Sequence, residues 1–174
     1  MKPYSLIIDI DPLPESLLAL KDELPETVYD AMQDVVEPRA IQLVREQIYD
    51  VDAIAEQDFL DSWRGLTEFV GQSGSRVHTH IFSEDKREKV ETIEWGRPKD
   101  AKFAPPPAIR HWIDVVGLQP TDASTTKDQL AFLINRHIHE DGIKGRFPIE
   151  TARVILEGEA SDLVHDYIDR HLKI

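Results

Sequence analysis

The chain has 174 residues, of which 41% are apolar and none is cysteine; that length falls in the usual single-domain range, and the missing thiols exclude disulfide frameworks, cysteine nucleophiles and thiolate zinc sites. Thirty-three Asp and Glu against twenty Lys and Arg give a net charge of −13, which is unsuited to wrapping nucleic acid from outside. No stretch approaches the roughly 18 apolar residues of a membrane helix, and with only Lys2 ahead of Pro3 and no long apolar run behind it the N-terminus does not read as a secretory leader. Composition therefore predicts a soluble, acidic, cytoplasm-compatible protein.

The charge is unevenly spread. Residues 1–61 hold fifteen acids and only Lys2, Lys21, Arg39 and Arg45, a net of −11, whereas residues 62–174 hold eighteen acids and sixteen bases, a net of −2. Such asymmetry fits an element that faces a charged partner or a lumen, and equally a long exposed helix carrying solubilising acids.

In chain order, residues 4–10 are short and β-branched and are stopped by Pro12 and Pro14, so they read as a strand or an extended arm. From about residue 14 to 52 the period turns helical. Val28, Met32 and Val35 or Val36 recur at helical spacing, and Ile41, Val44, Ile48 and Val51 continue the stripe. Pro38 has no amide to donate, so the helix must kink or restart there. Residues 65–70 and 76–82 read as strands joined by a hairpin turn at 71–74. Residues 88–95 fit a strand or a short helix. Pro98, Pro105, Pro106 and Pro107 mark a loop from 96 to 107, stiffened by its three consecutive prolines. Helices follow at 108–116, closed by Gly117, at 127–141, capped by Thr125 or Thr126, and at 149–172 with Ala152, Leu156, Leu163, Tyr167 and Leu172 on its stripe. The fold class predicted is α+β: a long N-terminal helix, a small antiparallel β-sheet and C-terminal helices. The division drawn is an N-terminal arm at 1–24 and a single domain at 25–174.

Catalytic patterns are weak throughout. His78 and His80 share one face of a strand, but Val77, Thr79 and Ile81 claim the other as the buried one, which leaves the histidines solvated. His137 and His139 lie about 200° apart around a helix, so they do not share an ion unaided. Gly71-Gln72-Ser73-Gly74-Ser75 is not a nucleophile elbow, and Gly142-Ile143-Lys144-Gly145 lacks the ending of a phosphate loop. No catalytic residue, metal ligand or cofactor is assigned. The alternatives kept open are a metal-dependent hydrolase or nuclease using His78 and His80, and a small acidic adaptor that mimics DNA. Among the tryptophans, Trp112 is expected in a core with Ile109 and Ile113. Trp95, at the edge of the proline loop, suits an interface as well as partial burial.

The run Ile93-Glu94-Trp95-Gly96, the loop Pro105-Pro106-Pro107 leading to Trp112 and Gly117, then Leu130, Phe132, Ile134, Gly142-Ile143 and Arg146-Phe147-Pro148-Ile149 have a recognisable order. This order is similar to the neck and tail-completion proteins of long-tailed bacteriophages, which join the tail to the head, and Phe59-Leu60-Asp61-Ser62-Trp63 also looks like that family's step from helix to first strand. The resemblance implies a structural virion protein rather than an enzyme, made in the host cytoplasm and located in the neck. It implies a homo-oligomeric ring, sixfold or twelvefold, that contacts tail-tube and head-completion or portal proteins. Genomic DNA would pass through without sequence-specific binding, and no membrane is involved. The expected assembly interface is Glu94, Trp95, Gly96, Pro105, Pro106 and Pro107. Asp30, Asp34 and Glu37 are expected to line the channel, where negative walls repel phosphate.

Overall fold

A computed structural model of the chain describes residues 6–8, 24–51, 57–70, 76–122 and 124–172. In order the elements are strand β1 (Leu6–Ile8), helix α1 (Leu24–Ala31), a π-helical turn (Met32–Val36), α2 (Glu37–Asp50), α3 (Gln57–Asp61), β2 (Trp63–Val70), β3 (Arg76–Ser83), α4 (Arg87–Trp95), β4 (Gly96–Arg97), α5 (Pro106–Val116), α6 (Lys127–Asp141), β5 (Ile143–Lys144) and α7 (Pro148–Leu172). The fold is mixed helix and antiparallel sheet, the α+β class. The chain forms two compact units, the first from residues 1–87 and 148–174, the second from 88–147. These units run differently from the arm at 1–24 and body at 25–174 drawn from the sequence.

In the first unit the sheet has the order β1-β3-β2, antiparallel throughout. Leu6 faces Ile81 in register, and β2 pairs with β3 from Trp63↔Ser83 to Val70↔Arg76. Period two sends Thr79 and Ile81 of the central strand into the core. The turn expected at 71–74 lies outside the described residues. Next to the sheet lie α1, the π turn and α2, and α7 packs on all three. Val28, Met32, Val36, Ala40, Val44 and Ile48 are buried at intervals of four, joined by Ala31 and Leu43. The π turn is the local answer to Pro38. The Glu37 amide donates to the Met32 carbonyl five residues back, and Glu37 and Pro38 then occupy the first turn of α2, where a missing amide costs nothing.

On α7 the buried residues are Ala152, Leu156, Ala160, Val164 and Ile168. Leu163 and Tyr167, expected on that stripe, are only half-buried. A 3.6-residue period read from bulky side chains returns after seven residues, at Leu163. The observed stripe advances by fours and admits the small Ala160 instead.

The second unit is a helical pair, α5 and α6, and a two-stranded ribbon, β4 with β5. Its core is Ile109, Ile113 and Ala131, with Ala104, Leu130, Ile134 and Ile138 partly buried around it. Residues 88–95 are helical, which closes the choice between strand and helix. Two expectations are corrected here. Pro106 and Pro107 belong to the first turn of α5 rather than to a polyproline loop; Pro105 is the last extended residue, with ψ of 126°. Trp112 is 38% exposed rather than a core residue. Ile109 and Ile113, four apart, fill the inward face of α5 and leave position 112 about 80° from the centre of that face.

Candidate functional site

The ribbon of the second unit is a close backbone-to-backbone pairing. Gly96 stands opposite Lys144 and Arg97 opposite Ile143. The Ile93 and Glu94 carbonyls accept hydrogen bonds from the Arg146 and Phe147 amides, each at 3.2 Å, so the ladder continues beyond the strands. Three glycines make this approach sterically feasible. Gly96 has φ of +78°, and a Cβ there would collide with the Ile143 carbonyl. A Cβ on Gly145 would lie 2.6 Å from the Glu94 carbonyl oxygen, and one on Gly142, at φ +76°, 2.6 Å from that of Arg97. Gly142 also ends α6, its amide bonded to the Ile138 carbonyl. Gly142 thus caps the helix, and Ile143 and Lys144 after it form a ribbon strand.

On this frame the Trp95 ring meets Phe147 edge-on, with centroids 5.5 Å apart. Trp95 is nonetheless 57% exposed, and Phe147 and Ile143 are exposed beside it. Glu94 behaves in the opposite way. It is 3% exposed, so its carboxylate does not belong to the outer surface of the unit and its part is internal. Gly96 contributes backbone geometry rather than a side-chain contact. Pro105, Pro106 and Pro107 are all exposed, at the start of α5. Of the six expected interface residues, Trp95 and the three prolines therefore lie on the surface.

A buried amide holds the loop between ribbon and α5. Asn135 accepts from the Ala104 amide at 3.0 Å and donates to the Ala104 carbonyl at 2.8 Å, matching the loop backbone as a second strand would. The His139 ring stacks on Phe103 and bonds the Ala101 carbonyl through Nδ1 at 2.8 Å. Neither role is visible in periodicity, because both side chains address backbone more than thirty residues away in sequence.

The three acids proposed from the sequence for a channel wall divide as well. Asp30 and Asp34 are exposed. Asp34 accepts from the Tyr167 hydroxyl of α7 at 3.1 Å, and the phenol is held above its ordinary range by desolvation first, then by this bond and the charges of Asp34 and Asp30. Glu37 is tied down. It accepts from Thr67 Oγ1 at 2.8 Å, and a Cβ at Gly65 of β2 would collide with its side chain. Thr67, having given its one proton to Glu37, must accept from the buried Thr79 hydroxyl 3.0 Å away. Glu37 is thus a clasp between α2 and the sheet.

The histidines do not converge. The His78 and His80 ring centroids are 6.3 Å apart, and His80 Nε2 is 3.1 Å from Glu68. His137 pairs with Asp141 within α6, away from the bond made by His139. Among the described residues no three His, Asp or Glu side chains are placed to hold a metal ion, and no helix is long and apolar enough to cross a membrane.

Charge separates completely between the units. The first carries twenty-four acids and eleven Lys and Arg, a net of −13; the second carries nine of each, a net of zero. No protein-family model, curated protein or solved structure matches the chain.

Proposed function

We propose that the chain is a structural subunit of the neck of a long-tailed bacteriophage, a tail-completion protein that assembles into a ring and leaves a passage for DNA. The observation that carries this reading is the ribbon. The stretches on which the family resemblance rests, Ile93-Glu94-Trp95-Gly96 and Gly142-Ile143 to Phe147, lie almost fifty residues apart and pair with one another backbone to backbone. They place Trp95 and Phe147 on a rigid exposed edge, the kind of aromatic, pre-organised surface that subunit contacts use. In this reading the helical run at 24–50 is the family's long N-terminal helix. The protein acts in the virion beside tail-tube and portal-side partners and has no catalytic role.

Electron microscopy of the purified full-length protein tests the proposal. Closed rings of six or twelve subunits, seen alone or on addition of tail-tube protein, are the expected result. A protein that stays monomeric at every concentration and salt, with or without those partners, overturns it.

A further inference from the structure

We infer that the ribbon of one copy docks on the acidic face formed by α1, the π turn and α7 of the next copy, so that Asp30 and Asp34 lie in the subunit contact instead of the channel wall. This rests on the ring reading above and specifies its interface.

Two observations on different units carry it. The first is the composition of the ribbon surface. Around exposed Trp95 and Phe147, residues 95–102 and 142–147 carry Arg97, Lys99, Lys102, Lys144 and Arg146 against the single acid Asp100, a local net of +4 in a unit that is otherwise acid-rich. Aromatic rings with arginine are the usual energetic centre of a protein contact, and glycine-locked backbone means little ordering is lost on docking. The second is the chemistry of the first unit, which holds the whole net charge of −13. On its surface the half-buried Tyr167, its ring stacked on His171, donates its hydroxyl to exposed Asp34, with the charge of exposed Asp30 also acting on it. An apolar ring edged by carboxylates complements an apolar edge flanked by cations.

Symmetry adds the remaining step. Two copies meeting through identical acidic faces would bring bodies of −13 together, with a repulsion that grows as salt falls. Ribbon against acidic face joins opposite signs and is heterologous, so repetition of the contact closes a ring when its rotation permits. The same cations would also attract phosphate, which makes duplex DNA the competing occupant.

A charge-swap series on the full chain decides between them, with particle mass measured by mass photometry between about 50 and 500 mM salt. The ribbon reversal Arg97→Glu with Lys144→Glu, and the face reversal Asp30→Lys with Asp34→Lys, should each raise the concentration needed for assembly by about tenfold or more at low salt. All four substitutions together should recover most of that loss. Circular dichroism and melting temperature establish that each variant is folded, and Trp95→Ala, which leaves charge untouched, should weaken assembly at both salts. Wild-type rings with no response to the reversals, or no recovery in the fourfold variant, overturn the docking and leave the ring reading intact. A wild type that never assembles overturns both. Loss of binding to a short duplex DNA on ribbon reversal, with assembly unchanged, assigns the ribbon to DNA and overturns the contact.

Discussion

The two units solve the burial problem in opposite ways. Among the described residues, the largest fully buried side chains include Trp63, Phe59, Met32, Ile48 and Ile81 in the first unit, and only Ile113 in the second. The exposed large apolar side chains show the reverse. Tyr49, Leu66, Phe69 and Val154 belong to the first unit, while Trp95, Phe103, Trp112, Val115, Leu118, Phe132, Leu133, Ile143 and Phe147 belong to the second. Among the described residues of that sixty-residue unit only Val90, Ile109, Ile113 and Ala131 are buried apolar side chains, which leaves much apolar surface in water, since small units bury a smaller share of what they contain. The first unit thus carries the net charge, and the second leaves the larger share of exposed apolar side chains.

The largest expected effect tests this contrast directly. Trp63 is buried against Phe59, with ring centroids 6.1 Å apart, and Trp63→Ala should cost about 3 to 5 kcal/mol of folding stability. Trp95→Ala should cost under about 1 kcal/mol in the monomer, because most of that ring is already hydrated. Urea midpoints measured where the protein is monomeric check both. Equal losses would mean that the ribbon is part of a core and that the contrast is wrong.

What was legible in the sequence follows the same division. Where structure is set by local pattern, expectation and structure agree: the β2 and β3 strands, the threonine cap of α6, left open between Thr125 and Thr126 and found at Thr126, and the left-handed Gly117 that ends α5. The α+β class follows from the same signals. Where an outcome depends on which of several apolar neighbours wins the inward position, the reading chose by bulk. The expected stripe of α7 takes Leu163 and Tyr167 where Ala160 and Val164 are buried, and Trp112 is expected in a core that Ile109 and Ile113 fill without it. Bulk predicts burial only when the core has room, and the second unit's core is small. The ribbon was named by motif, but its pairing was invisible because two-residue strands carry no period. The family resemblance makes Glu94 an interface residue, whereas its side chain is buried, at 3% exposure.

A second prediction asks whether the units also differ in cooperativity. Asn135→Ala removes both partners of Ala104 and leaves a part-buried backbone amide and carbonyl unsatisfied, at a cost of about 1 to 3 kcal/mol. Hydrogen exchange should quicken at Ala104 and at Asp100, whose amide bonds the His139 carbonyl, while Thr79 and Ile81 keep their protection. Acceleration in β3 by the same factor would show one cooperative block in place of two. A smaller change of opposite sign is expected in the first unit. Gly158 lies in the interior of α7 with open space where a Cβ would go, so Gly158→Ala should stabilise by about 0.5 to 1 kcal/mol, read as a higher melting temperature.

The smallest effect probes how the charged unit holds its own helices. Arg39 of α2 grips Glu159 of α7 with two hydrogen bonds, at 2.8 and 3.1 Å, and Glu46 lies 3.7 Å from the same guanidinium. The Glu159 carboxyl is held below its usual range chiefly by the hydrogen bond from Arg39 and further by its charge, against a desolvation that acts the other way. A carboxylate depressed in the folded state contributes stability that is complete above its unfolded value, about 4.3, and that is lost as pH falls through the lower folded value. Both side chains remain partly in water, at 29% and 39% exposure, so Arg39→Gln should cost only about 0.2 to 1 kcal/mol at pH 7 and low salt. The difference between wild type and variant should shrink as pH drops below 4, and also as salt rises at pH 7. Taking that difference cancels the titration of the other acids, which both proteins share. A gap that persists undiminished at pH 2.5 would show that Arg39 stabilises the α2–α7 contact through its aliphatic stem, and that the first unit's charges are carried on its surface without joining its helices.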